Sequence, residues 1–487
     1  MRKAILAEAA ALAARQSEAR KARETSNGRG ALALLRRLYT DLSTSRYDVP
    51  YIVLLLCLES ILCLAIIRFV PYTEIDWTAY MEEVATYDAG ERDYLQIRGG
   101  TGPLVYPAGF LYLYGWLRRL AGGDGSDIRT AQYGFAVLYV MNAAVVLTLY
   151  TVALRQCRQQ QRQQQRSPSP TTTTTTATAG SRAGSDLSAA HTAWSWRVAM
   201  VLTCLSKRIH SIFVLRLFND APAMALLYLS VLLFARHGMW RVGCVVYSLA
   251  VSIKMNVLLF APGLLLLLVQ SQPNWGHTAI CLGICAGVQL VLGAPFLTTH
   301  PVSYLRKAFE LDRVFFYEWT VNWKFVPEQV FVSRPWALLL LGMHLGCLAA
   351  LGRKWWLASA SSGGWRHRHL RLSPTYVVYT LFVSNYVGIC FARTLHYQFY
   401  SWYFHTVPFL AWTMAVDGGD GSDGNRHTTG MPLAMRIGLV GMIEYAFNVF
   451  PATAGSSYVL QSAQFVLLIW LWMARVPPSL VVADPAQ

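Results

Sequence analysis

Apolar residues in this chain are gathered into runs of about 16 to 25 positions, the length an α-helix needs to cross a hydrocarbon core of about 30 Å. The runs fall at about 51–70, 131–154, 195–215, 221–236, 241–253, 257–269, 276–297, 335–351, 374–393, 398–416, 433–450 and 457–475. Each is expected to be helical, because lipid offers no partner for a backbone N–H or C=O and a helix satisfies both within one segment. The pair 241–253 and 257–269 breaks the pattern: both are short, Lys254 and Asn256 lie between them, and Pro262 and Gly263 follow. They read as one long span or as a broken one. The expected architecture is an all-α polytopic membrane protein, with an N-terminal extension over 1–50, a multi-span domain over 51–475 and a tail over 476–487. From Gln156 to Ser188 the chain passes through Gln/Arg, Ser-Pro and Thr-rich stretches. Such a composition cannot bury a core, and a disordered linker is expected over 156–190.

Composition strengthens the membrane reading. Of 487 residues, 54% are hydrophobic and only 14% charged, a balance that a soluble globular domain rarely reaches. A net charge of +16 would suit nucleic acid, but the basic residues sit between apolar runs rather than along one face, so no nucleic-acid partner is expected. They read as determinants of topology. With a cytosolic N-terminus, the loops near 155–193 and 352–373 are cytosolic and carry Arg155, Arg158, Arg162, Arg166, Arg353, Lys354, Arg366, Arg368 and Arg371, as the positive-inside rule requires. The same parity places 71–130 and 298–334 in the lumen, where Arg92, Arg98, Arg306, Lys307, Arg313 and Lys324 are interleaved with acids, so the charge bias is moderate. The first 50 residues lack the short apolar core of a signal peptide, so the run at 51–70 reads as an uncleaved anchor. All cysteines except Cys157 lie inside apolar runs, with no spacing of a disulfide framework or zinc site. The acids of Asp417–Gly424 are three apart rather than alternate, which suits a flexible turn better than a calcium loop.

Candidate chemistry lies in the loops. The first luminal loop begins PYTEIDWTAYMEEV at Pro71, and its Glu74 and Asp76 stand within about two turns of a membrane boundary, where a carboxylate can meet both water and a lipid-borne substrate. Ordinary surface acids are the competing reading, and spacing does not separate the two. The loop ends in Tyr106, Pro107, Gly109 and an aromatic-rich amphipathic run closing on Arg118 and Arg119. This suits an interfacial helix with its aromatic face in the headgroups, or a shortened span. A second luminal segment, from Ser303, mixes aromatics with Arg306, Lys307, Asp312, Arg313, Glu318 and Lys324. Its Trp319 and Trp323 suit an aromatic belt, and its cations suit a lipid-linked phosphate. Arg393, His396, Tyr397, Gln398 and Tyr400 form a third polar cluster. Arg208, His210, Arg216, Asn219 and Asp220 decorate a run that should exclude them, so they line a wet cavity or the span is drawn wrongly.

TEIDW, GERDY, TGPLVYPAGF, SKRIHSIFVLRLFND, SIKMNVLLFAPG, FELDRVFFYEWTVNWKF and FARTLHYQFYSWYFHT, in this order, resemble the eukaryotic dolichyl-phosphate-mannose-dependent α-1,3-mannosyltransferases of asparagine-linked glycan assembly. The resemblance covers about 47–475 outside the linkers near 156–190, 352–373 and 417–432. It implies a GT-C type glycosyltransferase fold with luminal loops carrying interfacial helices, seated in the lipid bilayer of the endoplasmic reticulum with a luminal active site. The implied partners are a dolichyl-phosphate-mannose donor and a five-mannose dolichyl-diphosphate oligosaccharide acceptor. The catalytic carboxylate of the first luminal loop maps onto Asp76, with Glu74 as second choice. Arg393, His396, Tyr397, Arg313 and Lys324 are the residues expected at the donor, and Trp77, Tyr80 and Tyr106 those at the acceptor. No cofactor and no obligatory metal are expected, since no DxD-type motif stands in a luminal loop and a dolichyl-phosphate leaving group can be met by Arg and His. The chain departs from the pattern in its long Gln/Thr linker, its N-terminal extension and an ADPAQ terminus without a dilysine-type signal. The rival readings are another dolichol-phosphate-sugar-dependent transferase of this type, and a transporter or flippase. A transporter favours internal repeats and polar residues at mid-span, neither of which stands out here.

Overall fold

The computed structural model describes residues 34–166, 179–236, 239–310, 316–359, 370–413, 415–420 and 426–474. Helices dominate, accompanied among the described residues by two small antiparallel pairs, β1 (Arg98–Gly99) with β2 (Gly102–Pro103) and β3 (Ala415–Asp420) with β4 (Arg426–Gly430). Five helices are individually long and apolar enough to cross a membrane: Ser45–Phe69, Ile128–Gln163, Trp275–Leu297, Arg334–Ala358 and Ala454–Met473. The pair Asp186–Cys204 and Lys207–Leu215, bent by 42°, is apolar enough when taken together to form a broken span or a re-entrant loop. The fold is that of an all-α polytopic membrane protein.

About twelve apolar runs correspond to fewer full-length crossings, because several runs form short helices. Asp220–Phe234 and Trp240–Ile253 are separate short helices, and Met255–Phe260 is a 3₁₀ turn leading into Ala261–Ser271. The run at 398–416 divides into a 3₁₀ turn, Tyr397–Trp402, and the short helix Thr406–Thr413. In the helix Pro374–Cys390 every residue from Thr375 onward is buried. A helix apolar on all sides reads as a span in sequence, but here protein surrounds it.

Contacts divide the chain into two units. One comprises residues up to Tyr51 together with Cys157–Arg197. Within it, Asp48 meets Arg158 and Arg197, and Tyr39 stacks on Trp194 at 5.6 Å. The other comprises Ile52–Gln156 and the chain from Val198 onward, and it carries the site described below. The linker expected over 156–190 is helical at both ends, since one helix runs from Ile128 to Arg166 and the next from Ala179 to Cys204. Gln, Arg and Ala are good helix formers, which explains the extension. The Ser-Pro and Thr stretch at 167–178 lies outside the described residues, as do Arg313 and the 421–425 part of the glycine-rich run, whose flanks pair as β3 and β4 rather than forming a plain turn.

The loop after the first span is ordered. Trp77–Asp88 and Ala108–Leu120, here α1 and α2, pack together through Tyr80, Phe110 and Tyr114, whose ring centroids lie 4.7 to 5.1 Å apart. The aromatic face of α2 therefore points into protein rather than headgroups, and Trp116 and Leu120 are its exposed members. Gly109 permits this docking: a Cβ there would lie 2.7 Å from the Ser252 Cβ in the helix ending at Ile253. Gly109→Ala should cost about 1–3 kcal/mol of stability by overpacking. The loss should appear as a lower unfolding midpoint in detergent, and adding Ser252→Gly should recover part of it. An unchanged midpoint in Gly109→Ala would contradict this docking.

Candidate active site

Two acids two residues apart meet different surroundings. Glu74 is exposed, and its carboxylate caps α1 by accepting the Thr78 N–H at 3.0 Å and the Tyr72 hydroxyl at 2.6 Å. Asp76 stands immediately before α1 without capping it, and accepts the Tyr80 hydroxyl at 3.2 Å. Tyr80 is itself fixed by edge-on contacts with Tyr106 at 5.9 Å and Tyr114 at 5.0 Å. Glu74 thus serves the helix, while Asp76 turns toward the polar interior.

That interior centres on Lys254, where the helix from Trp240 ends and the backbone becomes extended. Its ammonium, in a residue only 8% exposed, donates to Asp220 Oδ2 at 2.7 Å and Asn219 Oδ1 at 2.8 Å. The Trp402 indole N–H donates to the other Asp220 oxygen. Rings of Tyr106, Phe399 and Trp402 surround the ammonium with centroids 5.6, 5.8 and 5.9 Å away. Tyr106 touches both Tyr80 and Lys254, joining the Asp76 side of the cleft to the ion pair.

Burial pushes the Asp76 carboxyl above the usual aspartate range. The Lys254 ammonium and the Tyr80 hydroxyl pull it back toward the ionised form, and Asp220 and Glu74 add smaller upward pushes. The result is a carboxylate that is only partly compensated, the condition a proton acceptor needs. Farther along α1, Glu83 is 3% exposed, and its Oε2 meets no hydrogen-bond partner among the described residues. Burial, with Asp76 and Glu82, pushes its carboxyl up to about 8.

The other residues expected at the site divide between this cleft and its margins. His396 stacks on Phe399 at 5.1 Å and Phe399 on Trp402 at 3.9 Å, a column of rings ending at Asp220. Tyr397 donates its hydroxyl to the Val449 carbonyl at 2.8 Å and offers its ring face to Arg208, 4.9 Å away. Arg393 donates to the Val332 carbonyl at 3.0 Å, and the Lys324 ammonium lies 4.2 Å from the Tyr317 ring, so both are engaged at a neighbouring patch. Trp77 is 1% exposed with its N–H given to the Gly125 carbonyl at 2.9 Å, which makes it a packing residue rather than a ligand contact. Trp323 is likewise buried, donating to the Ala392 carbonyl at 2.8 Å, not part of an interfacial belt. In the sequence Lys254 stands only as an interruption of two apolar runs, and nothing there singles out Trp402. A lysine between apolar runs was the available signal, because intramembrane charge is costly and persists where it has a partner.

These features define a polytopic, all-helical membrane protein with a carboxylate and a buried ion pair converging where its helices break. Residues 53–159 and 189–457 match the family described as ALG3 protein, and the chain belongs to that family. It is 41% identical over 458 residues to the Arabidopsis thaliana Dol-P-Man:Man(5)GlcNAc(2)-PP-Dol alpha-1,3-mannosyltransferase, covering 90% of each chain. The Homo sapiens protein of the same name is 42% identical, covering 87% of this chain and 88% of the relative. That of Neurospora crassa is 34% identical, covering 89% and 90%.

The buried Glu83 generates a test. Its carboxyl titrates higher in the folded than in the unfolded protein, so the folded state holds the proton more tightly. Stability is then greatest at low pH and falls as pH rises from the ordinary glutamate value toward about 8, by about 1.4 kcal/mol per pH unit at most. Glu83→Gln should remove this fall and raise the unfolding midpoint at pH 8 relative to the parent. Identical pH profiles for the two proteins would contradict it.

Proposed function

We propose that this protein transfers mannose from dolichyl-phosphate-mannose, in α-1,3 linkage, to the five-mannose dolichyl-diphosphate oligosaccharide, with inversion, on the luminal side of the endoplasmic reticulum membrane. Membership of the family and the names of its relatives support the reaction. The observation that carries the mechanism is the placement of Asp76, held by Tyr80 beside the Lys254–Asp220 pair.

A β-linked donor and an α-linked product require displacement from the face opposite the departing phosphate. The acceptor hydroxyl therefore needs a base on one side, and the phosphate a cation on the other. Asp76 is the base: it takes the hydroxyl proton as the oxygen attacks the anomeric carbon. Lys254 keeps that carboxylate ionised despite its burial, and Asp220 with Asn219 holds the ammonium in place. Tyr80 and Tyr106 wall the acceptor side, with His396 at the head of the ring column toward the donor. The departing group is a phosphomonoester anion, which guanidinium or ammonium groups can accept in place of a metal. The residues given these roles all lie in the unit formed by Ile52–Gln156 and the chain from Val198 onward.

Asp76→Asn should lower turnover by about 10²- to 10⁴-fold with folding intact, whereas Glu74→Gln should retain most activity, because Glu74 serves α1 as a cap. The acid limb of the parent's pH–rate profile should lie above the ordinary aspartate range. The check is transfer of labelled mannose from the synthetic lipid donor to the five-mannose acceptor, with linkage analysis of the product. A dead Glu74→Gln beside an active Asp76→Asn would overturn the assignment, and a product lacking a new α-1,3 mannose would overturn the reaction.

A further inference from the structure

After Cys204 the bent span breaks, and its second half is built unusually: four α-helical residues, Lys207–His210, then a π-turn over Ser211–Leu215, then Arg216 and a buried Leu217 in the left-handed region at φ 49°. A non-glycine residue in that region is strained and persists only where its surroundings impose it. Here the hold is visible: Gln132 donates to the Val214 carbonyl at 2.8 Å and Tyr114 to the Leu217 carbonyl at 3.0 Å.

Arg208 lies in the short helical turn and Arg216 immediately follows the π-turn, so the irregular backbone carries two cations at its two ends. Both are half-buried. Among the described residues neither forms an ion pair or a hydrogen bond, and the Nε of each is buried without an acceptor. Arg208 lies over the Tyr397 ring. The Glu444 carboxylate is occupied by the Ser206 hydroxyl at 2.8 Å and the Asn448 amide at 2.8 Å. Two like-charged, partly desolvated guanidiniums are unfavourable alone and become favourable around an anion that accepts from both forks.

Their position identifies the anion. The Thr73 N–H donates to the Leu215 carbonyl at 3.2 Å, tying the loop of Asp76 to the residue before Arg216. Arg216 therefore follows directly on the contact to the loop that carries the proposed base, at the end of a candidate span. We propose that Arg208 and Arg216 together bind the phosphate of the polyprenyl-phosphate sugar donor and receive its charge during transfer. The proposal rests on the reaction given above. In that step the bond from the anomeric carbon to the phosphate oxygen breaks, its electron pair leaves with dolichyl phosphate, the bond to the acceptor oxygen forms, and the acceptor proton passes to Asp76. The two guanidiniums offset the negative charge that appears on the phosphate.

The test is binding of dolichyl phosphate, and separately of dolichyl diphosphate, to the purified full chain in detergent, followed by thermal shift alongside donor and acceptor KM. Arg208→Gln and Arg216→Gln should each weaken dolichyl phosphate binding about 10- to 100-fold and raise the donor KM. Diphosphate binding and the acceptor KM should change little. The lysine variants, which keep charge and volume but lose the fork, should bind with intermediate affinity and guard against misfolding in the glutamine variants. Parental dolichyl phosphate affinity in both glutamine variants would overturn the site. So would loss confined to the diphosphate, which would assign the arginines to the acceptor. Arginine-dependent binding in a protein that transfers no mannose would support the site while contradicting the transfer reaction.

Discussion

A buried lysine–aspartate pair organises the polar interior of this protein. Removing two charges from water costs several kcal/mol per ion, and the cost is offset only when the geometry is good and the remaining donors and acceptors are satisfied. The Lys254 ammonium meets Asp220 and Asn219, and Asp220 is completed by the Trp402 indole. These contacts join three segments far apart in sequence: the start of the helix at Asp220, the break after Ile253 and the 3₁₀ turn ending at Trp402. Once they are joined, the rings of Tyr106, Phe399 and Trp402 have a common centre, and Asp76 has a cation to oppose its burial.

A second polar chain holds the broken span. Glu59 accepts from Tyr139 at 2.7 Å and pairs with His210 at 2.7 Å, and His210 also meets the Ser206 carbonyl at 2.7 Å. Ser206 in turn donates to Glu444. The interruption, where Arg208 and Arg216 form no ion pair among the described residues, is thus anchored on its other side by partnered groups.

Membrane character, the helical class and the family were legible because hydrophobic run length and motif order are local properties. The number of full crossings was not, because a run such as 374–390 is equally apolar whether lipid or protein surrounds it. The roles of Glu74 and Asp76 were also hidden: both stand at the same boundary, and only the fold shows one capping Thr78 and the other facing Tyr80. Lys254, Asp220 and Trp402 lie too far apart in sequence for spacing to join them, although Lys254 interrupting an apolar stretch was a legible anomaly. The amphipathic pattern of 108–120 correctly marked a helix but not the surface its aromatic face would cover.

The central claim is that the ion pair sets the charge of Asp76. Replacing both members at once, as Lys254→Met with Asp220→Leu, removes the pair without leaving one charge stranded. Lys254 lowers the Asp76 carboxyl more than Asp220 raises it, so the double variant should have a higher Asp76 titration point than the parent. The direct measurement is the pH dependence of kcat/KM for mannose transfer in the two folded proteins. A shift of the acid limb to higher pH is the predicted result. An acid limb at the same pH in both proteins would contradict the account.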